Sequence, residues 1–123
     1  EADILKIDTA TRWSQTDWTE LTGIQYFANG EGGQQWRIKA AEGDFFEAQN
    51  ELALTKGVEI EELNQRATMK TDAMRLFIDE KKASGVHPVT LTGQSSVTTG
   101  SSFELDLNTS TATLQGDVST HYE

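Results

Sequence analysis

A few side chains in this sequence have the chemistry for acid–base catalysis, but their spacing favours a structural role. Glu59, Glu61 and Glu62 form a carboxylate cluster, and two carboxylates in different environments can act as acid and base. Glu59 and Glu61, however, alternate with Val58 and Ile60, which predicts that both lie on the solvent face of one strand. We therefore interpret the cluster as a solvated polar face.

The sequence likewise contains no clear signal for a metal site or a cofactor site. His87 and His121 have no second histidine and no cysteine at ligand spacing, so no metal site is predicted. The absence of cysteine also excludes a disulfide framework. Residues 30–33 are glycine-rich, but no predicted helix follows them to bind a phosphate, so we interpret them as a hairpin turn. We expect no cofactor and no enzymatic activity.

Length and charge limit the function classes further. The 123 residues are typical of one domain, and no apolar run approaches the roughly 18 residues that a membrane span needs. Twenty acidic against ten basic residues give a net charge of −10, which argues against a nucleic-acid partner. After Lys82 the chain has no further lysine or arginine.

The apolar pattern predicts an all-β protein. Apolar residues recur at every second position, as in Met74, Leu76 and Ile78, which is the period of a half-buried strand. Residues 44–56 contain good helix formers, so a short helix is the alternative there, although the strands on either side favour a strand. Polar breaks separate the strands at residues 29–33, 79–82, 101–102 and 108–110.

A loose internal repeat of roughly 30 residues accompanies these strands. Its copies begin at Trp36, Ala67 and Val97, and each reads strand, polar turn, strand, glycine, strand. Units of this kind share one elongated core. An earlier and looser copy begins abruptly near Glu1, so we expect material upstream that closes the first unit.

Alternation also predicts which side chains face the interior. Two faces lined in this way either pack as a sandwich or splay into an apolar slot, where acyl chains would gain about 25 cal/mol per Å² of buried surface. The pattern alone favours the filled core and leaves the slot open. Trp13 and Trp18 are also expected in the core. The inward set is Leu5, Ile7, Leu21, Trp36, Ile38, Phe46, Leu52, Leu54, Val58, Ile60, Met69, Met74, Leu76, Ile78, Leu91, Val97, Phe103, Leu105, Leu114, Val118 and Tyr122.

Five short segments follow one another in a recognisable order: Trp-Arg-Ile-Lys-Ala at 36–40, Thr-Asp-Ala at 71–73, Val-Thr-Leu-Thr-Gly at 89–93, Ala-Thr-Leu at 112–114 and Ser-Thr-His-Tyr-Glu at 119–123. This order resembles the OstA-like fold of the lipopolysaccharide-transport proteins, and within that group the LptC family. The resemblance implies a twisted β-jellyroll of stacked antiparallel strands. It also implies a single periplasmic domain over residues 1–123 that lacks the family's N-terminal membrane anchor.

The resemblance also implies a function. An apolar groove would receive the acyl chains of lipopolysaccharide from an inner-membrane ABC transporter complex. It would pass them to a periplasmic LptA-like bridge protein by edge-to-edge strand pairing. The full-length protein would be attached to the inner membrane, and a homodimer is a further expected form. The alternatives are a soluble LptA-type bridge protein, a purely structural β-repeat module, and an enzyme on a β-solenoid, for which we find no repeating acidic or histidine cluster.

Two sets of site residues follow. The resemblance places lipid contacts at Ala112 and Tyr122, with Thr19 as a third match, and Leu114 and Val118 share the inward parity of that region. The small side chain of Ala112 would leave room for a ligand. The last strand carries no lysine or proline to block pairing, so we expect a partner-binding edge at Asp117, Val118, Ser119, Thr120, His121 and Tyr122.

Overall fold

The computed structural model describes residues 3–13, 17–64 and 66–122, and eleven antiparallel strands in one sheet account for most of them. Glu1, near which the first repeat copy begins, lies outside the described residues. The all-β prediction is confirmed, and residues 44–56 are strand apart from one 3-10 turn (Glu47–Gln49) and the adjoining Asn50. The strands are β1 (Ile4–Arg12), β2 (Trp18–Asn29), β3 (Gln35–Phe46), β4 (Glu51–Glu62), β5 (Ala67–Phe77), β6 (Lys82–Gly85), β7 (Val89–Thr92), β8 (Ser96–Gly100), β9 (Ser102–Asp106), β10 (Thr111–Gln115) and β11 (Ser119–Tyr122).

The long strands β1 to β5 bend near their middle, so each contributes to two facing layers. Beyond β5 the layers separate, because the first half of β5 pairs with β7 and its second half pairs with β6. The front layer contains residues 4–7, 24–29, 35–40, 58–62 and 67–71 with β7, β8 and β11; the back layer contains residues 9–12, 18–22, 42–46, 51–55 and 73–77 with β6, β9 and β10.

Irregularities in the strand ladders produce these bends. The register shifts between Lys39 and Glu42 where β3 pairs with β4, and between Thr55 and Val58 where β4 pairs with β5. A bulge of this kind leaves a residue unpaired and bends the strand. At the second bulge the backbone is left-handed, with a φ of 83° at Gly57, a conformation that glycine adopts without steric cost.

The two layers are joined along one side and meet through turns along the other. On the joined side, which we call the hinge side, the bends and the short connections at 86–88, 101 and 116–118 lead from one layer to the other. On the opposite side, the rim, the front layer ends in turns at 30–34 and 93–95. The back layer ends there in turns at 47–50, 78–81 and 107–110.

Apolar side chains fill the space between the layers. Ile38 and Ile60 of the front layer and Leu52 and Leu76 of the back layer are all 0% exposed. They belong to one continuous cluster of buried side chains drawn from both layers. The middle of the jellyroll is therefore a filled core rather than a slot.

A change of phase in β3 overturns part of the predicted inward set. Ala40 is the last buried position before the bend and Gly43 is the first after it, an odd interval that reverses the parity of the later residues. Parity placed Phe46 inside, but the structure packs Phe45 against the core instead. The predicted inward orientation of Val97 is also wrong. Its neighbour Thr98 pairs with Leu91, which packs against the core, so Val97 points outward.

Trp13 and Trp18 lie outside the core, which corrects the sequence-based expectation. Trp13 is 49% exposed and stacks on the half-buried Trp18, with ring centroids 6.0 Å apart. Each indole N–H donates to a carboxylate, Trp13 to Glu20 at 2.7 Å and Trp18 to Asp44 at 2.9 Å. These polar partners satisfy the indole N–H groups at the surface. An apolar core would leave the same N–H groups without a hydrogen bond.

Candidate binding site

Four of the five expected lipid contacts occur at one end of the jellyroll. Ala112 and Leu114 lie on β10, the last strand of the back layer, while Val118 and Tyr122 lie beside and on β11, the last strand of the front layer. Residues 116–118 connect the two strands. We call the inward-facing side chains of this end the C-terminal mouth: Ala112, Leu114, Val118, Thr120 and Tyr122.

Register places the back-layer half of the mouth on the interior face. Ala112 pairs with Leu105, and Leu114 pairs with Phe103; both partners are buried. Residues paired across a ladder point to the same face, so Ala112 and Leu114 continue the core outward. Leu114 is half-buried and packs against the core, whereas Ala112 is exposed.

The front-layer half continues the interior face in the same way. The core-packed Leu91 pairs with Thr98, and Thr98 pairs with Thr120. The two threonine hydroxyl oxygens lie 2.9 Å apart. Alternation then brings Val118 and Tyr122 to the same face as Thr120. Thr120 was predicted only as part of a pairing edge, and its inward parity is visible once the register of β8 is fixed.

The mouth differs from the middle of the jellyroll in its exposure. Val118 is 52% exposed and Tyr122 is 82% exposed, although both share the inward parity of buried residues. Strands β10 and β11 are the last strands of their layers among the described residues, and none of the other described strands pairs with their outer edges. An apolar surface that is continuous with a core and open to solvent is typical of a ligand or partner site.

Thr19 does not belong to this end. It is half-buried on β2, where it pairs with Phe45. The same ladder row continues through five further strands to Ala112. At about 4.8 Å per strand, Thr19 lies roughly 30 Å from the mouth. It belongs to the opposite, N-terminal end, where Leu5 is 39% exposed.

Three strands have an unpaired edge within the described ladders: β1, β10 and β11. β11 begins at Ser119 and pairs only with β8, while Asp117, with a φ of 49°, lies in the preceding turn. The predicted edge strand therefore exists, two residues shorter than expected. The β10 edge was missed. It likewise contains no lysine, arginine or proline, a signal that the sequence offered.

The acidic cluster is held in structural contacts. Glu59 lies 3.5 Å from the ammonium of Lys70, and Glu61 lies 2.9 Å from the guanidinium of Arg37. Glu62 is buried, and its carboxylate accepts the backbone N–H of Asn64 at 3.1 Å. Within residues 3–13, 17–64 and 66–122, no group of three or more histidine or acidic side chains is arranged to hold a metal ion.

One buried polar cluster was not singled out from the sequence. The hydroxyl of Tyr26 donates to Asp3 at 2.7 Å, and Lys81 lies 3.2 Å from the same carboxylate. Burial raises the pKa of the Tyr26 phenol, and the Asp3 carboxylate adds to the increase. These residues are far apart in sequence, so only the fold brings them together.

None of the helices in the described part of the chain has the length and apolar character required to cross a membrane.

Comparisons with known proteins agree with this architecture. Residues 4–123 match the family model "Lipopolysaccharide-assembly, LptC-related". Among solved structures, the chain is similar to LptH from Pseudomonas aeruginosa, described as the LptA homologous periplasmic component of the conserved lipopolysaccharide transport device. The TM-score is 0.76 at 6% identity, over 100% of this chain and 96% of that chain. This likeness shows the fold alone and confirms the jellyroll. No curated protein matches the chain significantly in sequence.

Proposed function

The chain belongs to the LptC-related family of lipopolysaccharide-assembly proteins, and from this premise we propose that it binds the acyl chains of lipopolysaccharide at its C-terminal mouth. Family membership makes it a component of lipopolysaccharide transport in the periplasm. The observation that carries the finer proposal is the continuity between the filled core and the open apolar residues of the mouth, where Val118 is 52% and Tyr122 82% exposed.

The physical basis of binding is burial of apolar surface. An acyl chain laid along Ala112 and Leu114 on one side and Val118 and Tyr122 on the other removes its methylenes from water, each worth about 0.8 kcal/mol when fully buried. The small side chain of Ala112 leaves space between the two strands. Because the middle of the jellyroll is already filled, the chain binds first at the mouth.

The proposal assigns the domain no catalytic step. It takes lipid from an inner-membrane ABC transporter complex and passes it to a periplasmic LptA-like bridge protein. In the full-length protein, this single periplasmic domain is attached to the inner membrane. Lipid transfer that breaks no covalent bond requires only that the lipid-binding surface of one protein be continuous with that of the next.

Edge strands provide that continuity. The open edges of β10 and β11 flank the mouth, and their unpaired backbone groups are suited to strand addition by a partner. A partner strand paired with either edge extends the same layer, so its inward side chains continue the apolar surface of the mouth. We assign the bridge protein to this end, with β11 as its principal edge.

The alternatives receive less support. An LptA-type bridge protein has the same fold, but the family model that matches is the LptC-related one. A purely structural repeat module that assembles end to end would be expected to fill every inward layer with large side chains, whereas the inward position beside Leu105 is the small Ala112.

Lipid binding is tested by a matched pair of substitutions on β10. Ala112 and Thr113 are adjacent, both exposed, and on opposite faces of the strand. Ala112→Asp puts a carboxylate among the acyl chains and is expected to weaken lipopolysaccharide binding at least tenfold, which is about 1.4 kcal/mol. Thr113→Asp adds the same charge to the outer face and is expected to leave the Kd within twofold. Equal affinities for the two folded variants would remove Ala112 from the site.

The partner edge is tested by removing β11. Deleting residues 117–123 is expected to abolish capture of a purified LptA-like bridge protein, because the pairing edge is lost. Circular dichroism of the truncated chain checks that the remaining strands stay folded. Unchanged capture by a folded truncated chain would move the interface to another edge, with β10 and β1 as the described alternatives.

A further inference from the structure

Polar contacts hold the rim of the jellyroll together at turns that belong to different layers. The backbone N–H of Glu31 in the front layer donates to the carbonyl of Asn108 in the back layer at 3.0 Å. Nearby, the indole N–H of Trp36 donates to the hydroxyl of Ser110 at 3.2 Å. The rim is therefore closed by hydrogen bonds, whereas the hinge side is closed by the chain itself.

The strongest of these rim contacts is centred on Lys81. Its ammonium donates to the carbonyl of Asn29 at 2.8 Å and lies 3.2 Å from the Asp3 carboxylate. Asp3 also accepts the Tyr26 hydroxyl at 2.7 Å and the Asn29 backbone N–H at 3.1 Å. Lys81 is the back-layer member of this group. Its side chain is 27% exposed and that of Asp3 is 15% exposed, so the pair is shielded from full solvent screening.

This ion pair differs from the others among the described residues. The pairs Arg37–Glu61 and Lys70–Glu59 lie within the front layer, and Arg75–Glu51 lies within the back layer. Arg12–Glu47 likewise joins two parts of the back layer and is exposed. Of the ion pairs within residues 3–13, 17–64 and 66–122, Asp3–Lys81 is the one that links the two layers.

We propose that the Asp3–Lys81 ion pair is a latch that holds the rim closed, and that its release lets acyl chains pass sideways from the mouth into the space between the layers. The role in lipid entry rests on the proposed function above. The filled middle makes such a device necessary, because lipid cannot penetrate it unless the layers part. The hinge side cannot part, since the chain is continuous there. The rim can part, because water replaces each of its polar contacts.

Opening is measured first in the lipid-free protein, by amide hydrogen exchange. Lys81→Met keeps an apolar stem and removes the charge. We expect it to raise exchange at the Glu31 amide by roughly tenfold, the scale of one charge-assisted hydrogen bond, while amides of the filled core stay protected. Lys70→Met is the matched control, because it removes an ion pair that lies within one layer. The conservative variant Lys81→Arg keeps the charge and the hydrogen-bond donors and is expected to keep protection close to that of the unaltered chain.

Lipid entry is measured second, as the association rate of lipopolysaccharide by stopped-flow fluorescence. Lys81→Met is expected to speed association several-fold, whereas Lys70→Met and Lys81→Arg are expected to leave the rate close to that of the unaltered chain. Unchanged exchange at Glu31 in the folded Lys81→Met variant would overturn the latch. Raised exchange with an unchanged association rate would overturn its role in lipid entry. Absence of lipid binding by the unaltered chain would refute the proposed function and the entry role together, while the exchange result would still decide whether the pair holds the rim.

Discussion

Two leucine-to-alanine substitutions separate the filled core from the mouth. Leu76 is 0% exposed and pairs with the equally buried Leu52, whereas Leu114 is half-buried at the mouth. Both changes remove the same three carbon atoms. In a filled core this loss lowers the folding stability, whereas at an open mouth it mainly lowers the affinity for lipid.

The expected size of the Leu76→Ala effect follows from its burial. Removing three buried carbons forfeits about 2.4 kcal/mol at roughly 0.8 kcal/mol each, and the cavity left behind brings the usual total to about 2–5 kcal/mol. A chain of this length is stable by about 6–18 kcal/mol, so the variant is expected to remain folded. Leu114→Ala is expected to cost about 1 kcal/mol, because its side chain is already partly in water.

The assay is urea denaturation followed by tryptophan fluorescence, paired with lipopolysaccharide titration. A loss of about 3 kcal/mol with a slope of about 1.5 kcal/mol per molar lowers the midpoint by roughly 2 M for Leu76→Ala. Its lipid affinity is expected to stay within twofold, while Leu114→Ala weakens binding by several-fold. The reasoning would be refuted if Leu76→Ala left the midpoint unchanged and altered lipid affinity, because the middle would then be a slot.

Two further perturbations test the packing and the buried tyrosine. Gly43→Ala adds a Cβ 2.6 Å from the Ile24 Cδ1 atom and 3.0 Å from the Ala53 carbonyl oxygen. This overpacking is expected to lower the free energy of unfolding, measured by urea denaturation, by about 1–3 kcal/mol. An unchanged free energy of unfolding would show that the layers separate easily there. Since burial raises the pKa of Tyr26, the unfolded chain loses this proton near pH 10 while the folded chain keeps it. Stability is therefore expected to fall above about pH 10, and Tyr26→Phe is expected to flatten that fall; identical pH profiles would contradict the buried position of the phenol.

The sequence predicted the strands well because their apolar residues alternate. Met74 and Leu76 are buried as period two requires, and the polar breaks at residues 29–33 and 108–110 are turns between strands. The prediction for Phe46 failed because the buried positions of β3 change phase at the bend, between Ala40 and Gly43, and such a change has no composition signature. It becomes visible only when the fold shows where the strand bends.

The candidate site was predictable in part. Inward parity near the C-terminus identified Leu114, and the family resemblance added Ala112 and Tyr122. Thr19 followed from the resemblance as well, but it lies at the other end of the same ladder row, a separation that sequence order does not reveal. The Asp3–Lys81 pair joins residues 78 positions apart, and no local pattern indicates such a contact.

The central claim is most directly tested by photo-crosslinking at neighbouring positions of β10. A photoreactive side chain at Ala112 faces the mouth, and the same group at Thr113 faces outward, with Glu59 on the front layer as a distant control. The account predicts a lipopolysaccharide adduct at Ala112 and none at Thr113 or Glu59. Equal adducts at all three positions, or none at any position in folded protein, would contradict it.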